Sequence, residues 1–523
     1  MGYPFRQGTV MKLFFLFLSF LFTQGLNINE DIYSRISKEF DSIKDQKVSE
    51  NIFIYPNKEI KQKDYYDLHQ SNSLNIYPVL GLRYSNSGFE INQDIPNGIF
   101  WLSPGIEFRF NQILVNTLNP IWFNGTFNFY KHSAYGLDND LSMGSTIGNE
   151  ENQSLVPIFF YNNNYQYGFY KDVQSDSSNG VDFDETLGYA SILSKNFDIT
   201  IGKFKSSLGP SVYSNLALSH TMPAFNQFRV KYSYGDKFFF TFIVGDLHSN
   251  LIDSSYIYED EVFDNKYSLM QRRIFNHRID FNITKNLRVG FYEQIIGLAN
   301  NSGLLSYINP FQFYWSEQHQ NNDLDNLQMG FDFDFLFKKN RLYGALLIDE
   351  WAPYDTFNSD AHNWFAKQIG FSRIFQIEKN KKTINGILKF EYSSAEPQVY
   401  THKFDINIPA HHNYPIGLWS GGDSIDKRLS CVLFVMDSNQ EEKMVVDFTY
   451  QNTKFGQPLY QEDISLLSSN DVKVRDLLYC QIKKTLFYNI DYYFKVGYYK
   501  TVNLYSEDNF LDISMSLLYN IQK

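Results

Sequence analysis

An apolar leader, an aromatic content of 18% and a period of two that runs from about Asn75 to the end of the chain predict an all-β protein, one large antiparallel transmembrane β-barrel. The 523 residues include 49 Phe and 38 Tyr but only 6 Trp. A compact soluble core of this size cannot bury so many rings, whereas a lipid-facing wall with aromatic girdles holds them. Mean hydropathy is −0.35. That is too polar for a bundle of membrane helices and suits strands that show only every second residue to lipid.

The leader comes first. Lys12 precedes the apolar run Leu13–Phe22, and Thr23 and Gly25 supply small residues at −3 and −1 of a cleavage site. The run is short of the roughly 20 residues that span a bilayer, so residues 1–25 read as a secretory signal peptide, with translation starting at Met11 and the mature chain at Leu26. No later stretch of about 18 uncharged apolar residues offers a helical anchor.

The period is then helical. Ile32, Ile36, Phe40 and Ile43 line one stripe of a short helix that starts near Asn29, a good N-cap residue, while Glu30, Ser34, Lys38 and Asp41 occupy the other face. A second polar piece with helical character covers about Lys58–His69. Residues 26–70 thus form a small helical segment ahead of a barrel over 71–523.

Strands follow. Phe228, Val230, Tyr232 and Tyr234 alternate with Arg229, Lys231 and Ser233; Ile279, Phe281 and Ile283 with Arg278, Asp280 and Asn282. Met329, Phe331, Phe333, Phe335 and Phe337 alternate with Gln328, Gly330, Asp332 and Asp334. The segments Met444–Gln451 and Leu511–Tyr519 repeat the pattern. Each is about ten residues long, the length a tilted membrane strand needs. Charges such as Asp332 and Asp334, opposite large apolar residues on one strand, suit a wet lumen. Short turns (Tyr234–Lys237, Thr284–Asn286, Lys338–Asn340) alternate with long polar connections over about Asp138–Phe183, Asp246–Gln271, Gly297–Asp325 and Asp405–Lys427, the asymmetry of outer-membrane barrels. Sixteen to twenty strands can be counted.

Several chemistries are excluded. A formal charge of −12 argues against nucleic acid, which needs a basic face. No Gly-x-Ser-x-Gly, phosphate-cradling loop or His-Glu-x-x-His occurs, so the reading is not an enzyme, and no cofactor is expected. His411 and His412 are adjacent and on a strand would point to opposite faces, poor geometry for a metal. Asp349 and Glu350 are likewise adjacent and cannot act as one acid/base pair from a strand. Cys431 and Cys480 fit no metal spacing; a disulfide and two isolated small apolar residues both remain open.

A set of stretches in one order carries a family resemblance: Ile199-Thr200-Ile201-Gly202-Lys203, Leu208-Gly209-Pro210, Asn215–Ser219, His277-Arg278-Ile279-Asp280, Tyr307-Ile308-Asn309-Pro310, Asn326 with Gly330 and Asp332, Leu347–Glu350, and Gly417–Asp426. Over about Leu187–Arg428 the chain resembles the capsule assembly Wzi family of outer-membrane proteins. The resemblance implies a barrel of about eighteen strands, a helical plug at its periplasmic end formed by the Ile32–Ile43 stripe, and a role in attaching or organising capsular or other surface polysaccharide. Partners would be outer-membrane lipid, the polysaccharide, and the barrel-assembly machinery during biogenesis in a Gram-negative-type bacterium. The chain departs from the family at Lys203, at Trp419-Ser420 and at its C-terminus, Tyr519–Lys523.

Saccharide sites combine aromatic platforms with charged or amide groups that bond hydroxyls. The candidates are Tyr307, Phe313, Tyr314 and Trp315 of one long loop, and Trp419, Asp423, Asp426 and Arg428 of another. Both are expected on the extracellular side, where a rigid scaffold holds loops. Arg229, Arg278, Asp280, Asp332 and Asp334 are expected to form a charge network on the lumen wall. The rivals are a porin or substrate channel of the same architecture and an enzyme with loop-borne acids.

Overall fold

Strands that are apolar on one face and polar on the other satisfy both faces at once when the sheet closes on itself. The computed structural model describes residues 28–48, 73–87, 97–115, 120–136, 180–258, 266–298, 307–320, 324–351, 354, 363–379, 382–412, 414–437, 442–459, 466–468, 472–485, 490–505 and 507–520. The leader and the Lys58–His69 piece lie outside them.

The wall consists of β1 (Ser73–Ser87), β2 (Asn97–Leu102 continued by Gly105–Val115), β3 (Ile121–Gly136), β4 (Gly180–Leu193), β5 (Phe197–Phe204) and β6 (Phe225–Tyr234). It continues through β7 (Phe238–Tyr258), β8 (Lys266–Thr284), β9 (Leu287–Leu298), β10 (Asn326–Phe337), β11 (Asn340–Asp349) and β12 (Trp364–Lys379). The last six are β13 (Lys382–Ala395), β14 (Ser424–Met436), β15 (Glu442–Phe455), β16 (Lys473–Thr485), β17 (Ile490–Val502) and β18 (Glu507–Asn520). Nineteen segments share the sheet, but two of them are halves of β2. That strand breaks at Ser103-Pro104, because proline has no N–H for the ladder. The wall therefore has 18 strands. Each is antiparallel to its neighbours, and β18 returns to β1 from Val79↔Asn520 to Ser85↔Ser514, so the sheet leaves no open edge.

One end carries the short turns 194–196, 235–237, 285–286 and 338–339; the connections 137–179, 205–224, 299–325 and 396–423 leave from the other. One expectation is corrected. Asp246–Gln271 is largely strand, since β7 runs on to Tyr258 and β8 begins at Lys266, with register shifts at His248/Ile252 and Asp253/Ile257. Beyond the lipid a hairpin needs no apolar face, so its polar sequence does not mark it as loop.

Phe281, Phe291, Phe331, Phe335, Phe448 and Met515 are exposed on the outer face, while Arg278, Asp280, Asp332 and Asp447, on the opposite parity, are buried inside. Cys431 and Cys480 are free and face outward. Phe448 of β15 stands between them, which puts them about 10 Å apart and beyond disulfide reach.

Among the described residues, two α-helices accompany the wall. α1 (Ile28–Asp45) lies inside the barrel and α2 (Tyr314–Gln320) belongs to the β9–β10 connection.

Candidate functional site

The apolar stripe of α1 is buried as its spacing demands. Ile36, Phe40 and Ile43 pack on Leu336, Ile374, Ile387, Val432, Phe434 and Val445 of the wall and on Val212 and Tyr213. The C-terminal end of α1 reaches the short-turn mouth. There the Val48 amide donates to the Lys285 carbonyl at 3.0 Å, Gln46 donates to the Lys338 carbonyl, and Lys47 pairs with Asp236 at 3.6 Å.

The flank of α1 carries chemistry that the stripe does not reveal. Glu39 is fully buried, accepting from Arg341 at 2.8 Å, from Ser372 at 2.6 Å and from Lys389. Burial alone would raise its carboxyl. The attraction of Lys389 and Arg341, with the Lys389 and Ser372 hydrogen bonds, overrides this and brings it down to about 2. One turn earlier Arg35 donates to the Ser211 carbonyl at 2.8 Å and meets the His220 ring at 2.8 Å. Burial, then the neighbouring Arg35, Lys205 and Arg428 charges, keep His220 well below the usual histidine range. Tyr33 donates to Asp447 at 3.2 Å. The i, i+4 pair Arg35/Glu39 is the sequence signal that would have marked this face.

Above α1 the lumen is filled by chain. The 205–224 connection turns inward and is buried along most of its length. Asn215 knots it, accepting from the Ser211 amide at 2.9 Å and donating to Ser207 at 2.8 Å. The wall holds it through Gln294 to the Ala217 carbonyl, 3.0 Å, Gln368 to the Ser214 carbonyl, 2.8 Å, and Ser211 to Glu391, 2.6 Å. A third layer, the 396–423 connection, lies on the second. Tyr400 donates to the Leu216 carbonyl at 2.6 Å, and the Ser219 amide to the Ile416 carbonyl at 2.7 Å. Thus Leu208-Gly209-Pro210 and Asn215–Ser219, read from the sequence as part of an ordered set, are lumen filling.

Of the charge network, Arg278 forms a fork that grips Asp280 at 2.6 and 2.9 Å and Asp332 at 2.6 and 2.7 Å. It crosses β9 at Gly290, where a Cβ would lie 2.1 Å from the guanidinium. Arg229 approaches Asp198 at 3.5 Å, and Asp334 accepts two hydrogen bonds from Arg341.

The residues proposed for sugar binding separate into two places. Trp419, Asp426 and Arg428 gather on the lumen wall below the long loops. The Arg475 guanidinium, which the sequence reading missed, lies 4.7 Å over the Trp419 ring and 5.7 Å over Phe455. Trp419 Nε1 donates to Asp426 at 3.4 Å, and Gln451 and Thr453 donate to the same carboxylate at 2.8 and 2.7 Å. Arg428 covers the Tyr213 ring at 4.2 Å. Asp423 serves the backbone instead, accepting the amides of Gln457 and Leu467, both at 2.7 Å. Tyr307, Phe313, Tyr314 and Trp315 lie elsewhere, against the outside of the wall. Tyr307 and Tyr314 are buried there against Phe275, Ile295 and Leu327, so the loop does not present them as platforms to solvent.

His411 and His412 depart from the strand reading. Left-handed backbone at His412 (φ 51°) folds its ring back to 4.4 Å from His411 and 4.5 Å from His248. Among the described residues no group of three His, Cys, Asp or Glu is arranged to hold a metal ion. Asp349 and Glu350 take separate partners, the Tyr400 amide and Gln328 for the first and His402 at 3.6 Å for the second.

A closed sheet with an apolar outer belt and a polar, packed interior is the architecture of an outer-membrane β-barrel, because a wall with no free edge and a lipid-compatible face is what a bilayer admits. Among solved structures, the chain is similar to Wzi, an outer-membrane protein involved in group 1 capsule assembly in Escherichia coli and a carbohydrate-binding β-barrel; identity is 11% over 84% of this chain and 83% of that one, with a TM-score of 0.48. OccAB4 of Acinetobacter baumannii matches at 10% identity over 86% and 98% of the two chains, TM-score 0.45. OprD of Pseudomonas aeruginosa matches at 10% over 86% and 94%, TM-score 0.41. No family model and no curated relative matches the sequence.

Proposed function

We propose that this barrel holds or organises capsular or other surface polysaccharide at the cell surface, without catalysis and without conducting solutes. The observation that carries the reading is the stacking of α1, the 205–224 connection and the 396–423 connection through the lumen, joined at Arg35–Ser211 and Tyr400–Leu216. Such filling suits a binding scaffold better than a channel. The long-loop end faces the cell exterior and the short-turn end, with α1, the periplasm. Trp419, Arg475, Asp426 and Arg428 combine an indole face, two cations and a carboxylate, the groups that stack on a sugar ring and bond its hydroxyls or acidic substituents. Lipid and the barrel-assembly machinery complete the set of partners.

The test pairs two measurements. Planar-bilayer recordings of the intact protein are expected to show little conductance, and cells lacking the gene are expected to shed capsular polysaccharide that wild-type cells retain. Large, stable, ohmic pores together with unchanged capsule retention would replace the reading with a channel.

A further inference from the structure

Residues 307–320 of the β9–β10 connection lie along the outside of the barrel. On β8, Arg278 and Asp280 face the lumen, so Phe275 and His277 face out; on β9, Gln294 faces in and Glu293 and Ile295 face out. Tyr307 and Tyr314 pack on Phe275, Ile295 and Leu327 of this outer face, with Val244, Met329 and Trp315 at the margin. Glu293 lies six residues beyond the start of β9. With a rise of about 3.4 Å per residue and a tilt of about 40°, that is about 15 Å above the short turn, inside a belt about 25 Å tall.

A carboxylate facing lipid at that depth is costly unless it is paired and covered. Glu293 is both. It accepts the amides of Tyr314 and Trp315 at 2.9 and 2.8 Å and meets His277 at 2.9 Å. These bonds also satisfy two N–H groups in the first turn of α2, which lipid could not. The Tyr314 ring stacks on His277 at 4.3 Å and roofs the pair. Tyr307 donates to Asp325 at 2.8 Å and Gln318 to the Asp325 carbonyl at 2.7 Å, closing the far side. With the polar groups held underneath, the segment turns apolar side chains away from the wall: Phe311 is 83% exposed, Phe313 75% and Ile308 41%. Phe311 stacks at 5.9 Å on Phe240, an outward residue of the same belt as the exposed Phe281, Phe291 and Phe331.

We propose that Tyr307–Gln320 is a membrane-embedded clasp that seats Ile308, Phe311 and Phe313 among the acyl chains that surround the apolar belt. The occupant is lipid because the patch joins the apolar belt where Phe311 stacks on Phe240 and lies within the height of that belt. Rings so placed would be a liability in water.

The full-length protein, with Cys431→Ser and Cys480→Ser, is given a spin label at Phe313→Cys and reconstituted in phosphatidylcholine vesicles. Collisions with oxygen and with a water-soluble nickel chelate are compared, using Phe331→Cys as a belt reference and Lys338→Cys as a turn reference. Position 313 is expected to behave like 331, with oxygen collisions several-fold in excess. Behaviour like 338 would overturn the proposal. So would a label that is immobile and shielded from both reagents in native outer membranes, which would mean that a protein covers the patch. Ile308→Cys carries the same test if Phe313→Cys fails to show the folded barrel's heat-modifiable gel mobility.

Discussion

The position at which a single change most directly tests the filled lumen is Glu39. Its two oxygens accept hydrogen bonds from Arg341, Ser372 and Lys389, all buried. Glu39→Ala leaves Arg341 with Asp334 and the Pro210 carbonyl but strips Lys389 of its carboxylate. Breaking a buried ion pair from one side costs about 3–5 kcal/mol, because the remaining charge stays desolvated. The pH dependence supplies a second measure. The undocked carboxyl titrates at 4.5 and the docked one at about 2, a difference worth about 3 kcal/mol. Because docking depresses this acid, its contribution is complete above pH 4.5 and is lost as pH falls toward 2. An isolated helix of 18 residues is marginal in water, so weakened docking appears as local opening. Hydrogen exchange of residues 28–45 in the intact barrel is the assay. Glu39→Ala should raise their exchange by roughly 10²-fold or more, and the wild type should loosen between pH 4.5 and 2 while the variant does not. Wild-type protection of α1 in Glu39→Ala, with the wall folded, would refute this account of how the plug is held.

Phe333→Arg, on the outer face of β10, should destabilise the barrel by roughly 2–4 kcal/mol in urea titrations in lipid; no loss of stability would remove that face from the membrane. Gly290→Ala drives a Cβ into the Arg278 guanidinium, with no room at 2.1 Å, and should cost about 3 kcal/mol or more by opening the fork to Asp332; an unchanged unfolding midpoint would show that the fork yields freely. Trp419→Ala combined with Arg475→Ala should lower cell-bound capsule while heat-modifiable gel mobility reports a folded barrel; full retention by the folded variant would remove this cluster from the site.

Strand faces were legible because lipid and lumen impose opposite chemistries on alternate residues, so Phe331, Phe333 and Phe335 and the intervening Asp332 and Asp334 declare their sides without any neighbour in view. The stripe of α1 was legible for the same reason at a different period. Partners were not. Arg278 reaches Asp332 across 54 residues of sequence, and Glu39 reaches Lys389 across 350; no local pattern encodes such pairing. Nor did polarity separate loop from strand above the belt, where β7 and β8 extend through sequence that reads as connection.

The aromatic connections show where composition stops discriminating. Tyr307–Trp315 and the stretch around Trp419 are both rich in rings and polar neighbours, yet one folds over the outside of the wall and the other into the lumen. Rings are welcome in both places, since lipid and a packed interior alike remove them from water. What differs is the wall beneath. At the outer site an acid stands at an outward position, Glu293, and bare lipid would leave it unpaired. A segment that brings two free amides and covers the outward His277–Glu293 pair is therefore held there. At the lumen site Asp426 already accepts Gln451 and Thr453, and what it offers Trp419 is one further acceptor beside the Arg475 cation. An outward carboxylate within the belt, flanked by an outward histidine one strand away, is thus the sequence-level sign that a following loop will return along the lipid face.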